Sequence, residues 1–112
     1  MILLISAQQP QSEGPVHNRF GRSPWLIKID TQTHQWEALP NPGASQSGGA
    51  GVAAAQFVVE QKVDAVISGD FGPNAAKVLQ AAGIQMSLFP PETSTVQQAA
   101  ERFLQGKQTD FE

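Results

Sequence analysis

Ile2-Leu3-Leu4-Ile5 is an uninterrupted apolar run, and it limits the fold more than any other segment. A strand with one wet face alternates apolar and polar residues. A strand without alternation needs cover on both faces, as in the middle of a sheet flanked by helices. The run has no basic segment before it and stops at Ser6. A secretory core needs roughly 7–15 apolar residues and a membrane span roughly 20. The segment therefore reads as a buried central strand of a cytoplasmic protein that does not enter a membrane.

The rest of the chain supplies the cover. Ala7 to Pro24 is a polar loop with Gly and Pro, long enough to suggest a functional role. Trp25–Asp30 and Gln35–Leu39 read as strands joined by the turn Thr31-Gln32-Thr33-His34. Gly51 to Lys62 carries a helical stripe of Val52, Ala55, Val58 and Val59. Val63–Ser68 is a short apolar strand, and Pro73 to Ala82 a second helix with Ala75, Val78, Leu79 and Ala82 inward. Pro73 suits its first turn and Gly83 its C′ position. Ile84, Met86 and Leu88 alternate with polar residues, as on an edge strand. Ser94 and Gln97 have capping-box spacing before a third helix with Val96, Ala99, Ala100, Phe103 and Leu104 inward. Gly106 closes that helix. The 112 residues thus make one domain over 1–106, with 107–112 a disordered tail.

The order β-β-β-α-β-α-β-α has a simple geometric solution. The first three strands form an antiparallel meander, and each later helical crossover returns parallel and right-handed. With the apolar first strand central, the fold is α/β with a five-stranded mixed sheet in the order 3-2-1-4-5, strand 2 antiparallel, and three helices. The loops Ala7–Pro24, Pro40–Ala50 and Gly69–Gly72 then leave the same sheet edge, where open α/β sheets commonly bind ligands.

Two of these loops run into helices through glycine: Ser47-Gly48-Gly49 into the first, and Gly69-Asp70-Phe71-Gly72 ahead of Asn74 in the second. Helix N-termini carry partial positive charge and unpaired N–H groups, so two of them facing one crevice suit an anion. Arg19 and Arg22 add charge from the third loop. Glycine between strand and helix is more often plain turn chemistry, however, and Asp70 reads better as an N-cap than as a ligand or base. No Gly-Lys-Ser/Thr follows the glycines, so a phosphate P-loop is absent. His17, beside Asn18, is the best single nitrogen ligand for a metal, although a loop histidine is usually solvated. His34 falls in the hairpin turn, away from this edge. Trp25 and Trp36 read as core or sheet-packing residues.

Composition narrows the partner. The chain has no cysteine, which removes disulfides, thiolate metal sites and a cysteine nucleophile together. A net charge of −3 and the lack of a basic run argue against nucleic acid. No serine nucleophile elbow and no paired carboxylates stand out, so the expectation is a binder and not an enzyme.

Four segments in register carry a family resemblance: Arg19-Phe20-Gly21-Arg22-Ser23-Pro24-Trp25, Ser47-Gly48-Gly49-Ala50-Gly51, Val63 through Ala75 with its Ser68-Gly69-Asp70-Phe71-Gly72-Pro73-Asn74 centre, and Ala81-Ala82-Gly83-Ile84. Over about Met1 to Leu104 the chain resembles the dinitrogenase iron–molybdenum-cofactor biosynthesis family, which includes NifX-like and NafY-like domains and the C-terminal domain of NifB. The resemblance implies a ribonuclease-H-like fold, matching the strand order above. It also implies a cytoplasmic carrier or chaperone in nitrogen fixation, binding an iron–molybdenum cofactor or an iron–sulfur precursor. Its partners would be that anionic metallocluster and nitrogenase-assembly or other metalloproteins. The loops at that sheet edge supply the candidate site residues His17, Asn18, Arg19, Arg22, Ser47, Gly48, Gly49, Gly69, Asp70, Phe71, Gly72 and Asn74, with His17 the candidate metal ligand. One departure matters. Where cofactor-carrying members often read His-Phe-Gly, this chain has Arg19-Phe20-Gly21, and arginine cannot replace a histidine ligand. Two other functions stay open: a metal-free regulatory or interaction module on the same fold, and a small enzyme using Asp70 or His17 as a base on an anionic metabolite.

Overall fold

The computed structural model describes residues 1–90, 92–107 and 109–110. Its strands are β1 (Ile2–Ala7), β2 (Trp25–Asp30), β3 (Trp36–Pro40), β4 (Ala65–Ser68), β5 (Gln85–Leu88) and β6 (Thr109–Asp110). The helices are α1 (Ala50–Glu60), α2 (Pro73–Ala81) and α3 (Val96–Leu104). The sheet order is β3-β2-β1-β4-β5-β6. β1 pairs antiparallel with β2 and parallel with β4, β2 pairs antiparallel with β3, and β4 pairs parallel with β5. The expected 3-2-1-4-5 order holds, and β1 lies inside the sheet.

Alternate residues of β1 face opposite layers. Leu4 packs with Leu26 and Val66 under α1 and α2, meeting Ala54, Ala55, Val58, Ala75 and Leu79. Leu3 and Ile5 pack with Ile27 and Ile67 under α3, meeting Val96, Ala99 and Phe103. Leu3, Leu4 and Ile5 are all fully buried, and each such side chain contributes about 1.5–3 kcal/mol through removal from water. An unbroken apolar run is thus the pattern that a two-sided core requires.

Several boundaries differ from expectation. The capping box of α3 is Thr95 with Gln98, one residue later than Ser94 with Gln97. Thr95 Oγ1 accepts from the Gln98 N–H at 3.1 Å, while Gln98 Oε1 accepts from the N–H groups of Ser94 and Thr95. Val96 is then the first helical residue and is buried, while Leu104, expected inward, is exposed. Val59 and Ala82 are likewise exposed. Gly83 does close α2: it takes φ 74°, and the N–H groups of Gly83 and Ile84 bond to the carbonyls of Gln80 and Leu79. This is the Schellman arrangement.

Trp25 packs against the α3-side core, but Trp36 is 47% exposed, because among the described residues no helix covers the β3 end of that face. Within the expected tail, Thr109–Asp110 pairs antiparallel with β5 through Leu88↔Thr109 and Ser87↔Asp110. A two-residue strand has no periodicity for a sequence reading to find. Residues 108, 111 and 112 of that tail lie outside the described residues. Among the described residues no helix is long and apolar enough to cross a membrane.

Candidate functional site

The three loops at the carboxyl ends of β1, β3 and β4 lock together through main-chain contacts. The β1–β2 loop is held first by a bridge between Ala7 and Val16. Ser6 Oγ then lies 2.7 Å from the His17 carbonyl oxygen and 2.7 Å from Ser68 Oγ. A carbonyl only accepts, so Ser6 donates to His17 and Ser68 donates to Ser6. The Phe20 N–H donates to the Asp70 carbonyl at 3.0 Å, tying this loop to the one after β4. Phe20 and Phe71 meet below, with ring centroids 5.4 Å apart.

Close backbone approach explains two of the glycines. A Cβ on Gly69 would sit 2.6 Å from the Asn18 carbonyl oxygen and 2.8 Å from its Cα. On Gly21 it would sit 2.8 Å from Gly51 N and 2.9 Å from Gly51 Cα. These neighbours are backbone and cannot swing aside. Asn41, only 5% exposed, clamps the same region. Its Nδ2 donates to the carbonyls of Phe20 and Ser23 at 3.0 and 2.8 Å, and its Oδ1 accepts from the Gly43 N–H at 3.0 Å. Asn41 carried no signal in the sequence beyond a Pro-Asn-Pro-Gly turn.

This frame leaves an open cleft of about 270 Å³. Arg19, Phe20, Gly21 and Arg22 line one side, and the first turns of α1 and α2 line the others. The N-caps of α1 and α2 are Gly49 and Gly72, and neither helix has a side-chain cap. The first helical bonds run from the Ala53 N–H to the Gly49 carbonyl and from the Ala76 N–H to the Gly72 carbonyl. The N–H groups of Ala50, Gly51, Val52, Asn74 and Ala75 precede those bonds, and all five residues line the cleft. Helix starts of this kind attract anions. Arg22 Nη1 donates to the Gln46 carbonyl at 2.7 Å, which holds its guanidinium at the rim. Asp70 also lines the cleft and opposes part of this positive charge. Its Oδ1 accepts from the Gly72 N–H at 3.3 Å. It therefore forms a turn before α2 and is not the N-cap, a position that Gly72 takes.

The family described as dinitrogenase iron-molybdenum cofactor matches residues 1–106. The chain belongs to this family. Among solved structures, the apo form of the orange protein of Desulfovibrio gigas is similar at 34% identity and a TM-score of 0.91, over 98% of this chain and 92% of that one. A putative NifB protein from Thermotoga is similar at 28% identity and a TM-score of 0.82, over 97% of this chain and 91% of that one. No significant match is found among curated proteins.

Of the site residues expected from the sequence, Arg19, Arg22, Gly49, Asp70, Phe71, Gly72 and Asn74 line the cleft. Asn18 and Gly69 do not line it but form the backbone contact behind it. Ser47 and Gly48 lie on the exposed approach to α1. His17 is also outside the lining, and its Nδ1 is turned to the Arg19 backbone, 3.1 Å from both N and O. Among the described residues no group of three or more His, Cys, Asp or Glu side chains is placed to hold a metal ion. The sequence reading missed Ala50, Gly51, Val52 and Ala75. Their contribution is a backbone N–H, which no side-chain type reveals. Only their position in a first helical turn marks them.

Proposed function

We propose that this protein binds an anionic iron–molybdenum or iron–sulfur cluster, or a precursor of one, as a carrier in nitrogenase-type cofactor assembly, and that it is not a catalyst. The observation that carries this reading is the convergence of two uncapped helix starts and two arginines on one open cleft. Family membership supports the cargo class.

The donor set defines how such a cargo would sit. The chain has no cysteine, and the cleft lining has no histidine. It offers N–H donors and guanidinium groups instead. Such a surface does not complete the coordination shell of a bare metal ion. It suits a cluster that arrives with its own ligands and is held through hydrogen bonds to their outer atoms. Arg19, placed where family members often carry histidine, fits this mode. Nothing near Asp70 orients it as a base, because its carboxylate is engaged by the loop's own Gly72 N–H.

The test is anaerobic incubation with isolated iron–molybdenum cofactor, followed by gel filtration with iron and molybdenum quantified in the protein peak. Metal should co-elute near one cluster per chain, and Arg19→Ala/Arg22→Ala should lower retention at least tenfold. Metal found only in the small-molecule fraction would overturn the carrier reading in favour of a metal-free interaction module. His17→Ala separates the modes: unchanged retention supports outer contacts in the cleft, and loss of metal would place a direct ligand on His17.

A further inference from the structure

A second surface lies away from the cleft, on the α3 face of the sheet. β3 is the last strand on its side. The Asp30 N–H donates to the Gln35 carbonyl at 2.9 Å, and the Asn41 N–H donates to the Pro24 carbonyl at 3.1 Å. With Lys28↔Glu37 and Leu26↔Leu39 paired between these two bonds, the odd residues of β3 turn their backbone groups to β2. Trp36, Ala38 and Pro40 therefore turn theirs outward. Trp36 and Ala38 present N–H and carbonyl groups, and Pro40 a carbonyl alone.

Beside this edge runs a groove of about 420 Å³, walled by α3 and floored in part by Ile29 and Trp36. Trp36 and Leu104, at 47% and 56% exposure, are two of the four large apolar side chains exposed among the described residues, and both line it. Glu13 and Glu101 also line it, with no lysine or arginine. An apolar floor, an acidic rim and an unpaired strand edge together describe a site for an extended chain.

We infer that β3 and this groove dock an extended segment of another protein whose groove-facing alternate positions carry arginine or lysine together with an aliphatic residue. A strand added to β3 would aim every second side chain into the groove. There an arginine stem covers Trp36 and Leu104 while its guanidinium reaches the acidic rim.

A second copy of this chain fits the edge poorly. Antiparallel two-fold pairing of Trp36 with Ala38 sets Glu37 against its own copy. Centring on Ala38 sets Trp36 opposite Pro40, which has no N–H. Centring on Trp36 sets Ala38 opposite His34, whose N–H is already given to Asp30.

The probe is a peptide carrying fluorescein on its N-terminal amine, fluoresceinyl-Thr-Arg-Thr-Leu-Thr-Arg-Thr-amide, read by fluorescence anisotropy with the full chain, together with amide hydrogen exchange at Trp36 and Ala38. Binding should weaken with salt and slow exchange at both amides. Glu13→Gln/Glu101→Gln should weaken it about tenfold, as two rim charges lost together imply. Ala38→Pro removes an outward N–H, a change edge strands tolerate, and should abolish binding while circular dichroism stays unchanged. A peptide with glutamate for arginine, or with methylated backbone nitrogens, should not bind. Failure of the parent peptide to bind, or equal binding of these controls, would overturn the inference. So would a dimer in light scattering without peptide that Ala38→Pro dissociates, which would assign the edge to a second copy.

Discussion

Replacing Asn41 by alanine tests whether the cleft is held open by a single buried amide. The side chain serves three backbone groups: the carbonyls of Phe20 and Ser23 and the N–H of Gly43. Phe20 keeps a partial substitute, because Ser23 Oγ also donates to its carbonyl at 3.2 Å. The Ser23 carbonyl and the Gly43 N–H lose this partner. A buried polar group left unpaired costs about 1–3 kcal/mol, so with two such groups Asn41→Ala should lose about 2–6 kcal/mol. Urea unfolding followed by tryptophan fluorescence measures this, with an unchanged m-value marking a true stability change. Over most of the usual stability range of about 5–15 kcal/mol such a loss leaves a folded variant to measure. Asn41→Asp sharpens the test. It keeps an acceptor for Gly43 but aims a carboxylate at two carbonyls, so it should be worse than alanine at neutral pH. Burial and those carbonyls favour its protonated form, raising its folded pKa above the unfolded value. Its deficit should therefore shrink as pH falls towards the unfolded value and grow as pH rises through the folded one. A loss under about 0.5 kcal/mol in Asn41→Ala, or a pH-independent gap between the two variants, would refute the reasoning.

Three further outcomes follow from named contacts. Gly21→Ala forces a methyl group onto the Gly51 backbone; it should cost about 1–3 kcal/mol in thermal or urea unfolding and weaken anion binding in the cleft. Lys62 closes α1 with φ 56°, a left-handed conformation that disfavours side chains, so Lys62→Gly should gain about 0.5–1 kcal/mol by the same measurement. The Asp30 carboxyl lies below the usual carboxylate range, mainly because the Gln32 N–H donates to it, with the Thr33 N–H adding to the effect. Its folded pKa being lower than its unfolded one, it favours the hairpin above the unfolded value and loses that effect as pH falls through the folded value. Asp30→Asn should flatten this acid limb of the stability–pH profile, and an unchanged limb would contradict the assignment.

The sheet was legible because its information is one-dimensional. An apolar run at Ile2–Ile5, a turn after Asp30 and a glycine at position 83 each state a local fact, and chain order with handedness does the rest. Half of the site was legible for the same reason: glycine before a helix marks an uncapped start. The remainder depends on contacts far apart in the chain. Asn41 differs from any turn asparagine only because Phe20 and Ser23 arrive above it. Thr95 and not Ser94 caps α3, and neighbouring hydroxyls look alike in sequence. Trp36 reads as a packing residue until the sheet shows it half exposed at the edge strand.

The five N–H groups at the base of the cleft belong to the main chain, and the backbones of Gly21, Gly51, Asn18 and Gly69 press together to keep them there. The appetite for negative charge is therefore inherited with the architecture and cannot be deleted by trimming any one side chain. Side chains at the rim, such as Arg19 and Arg22, act as adjustable fittings on a permanent socket. A lineage built on this framework can change which anion it accepts by exchanging fittings, without refolding the socket.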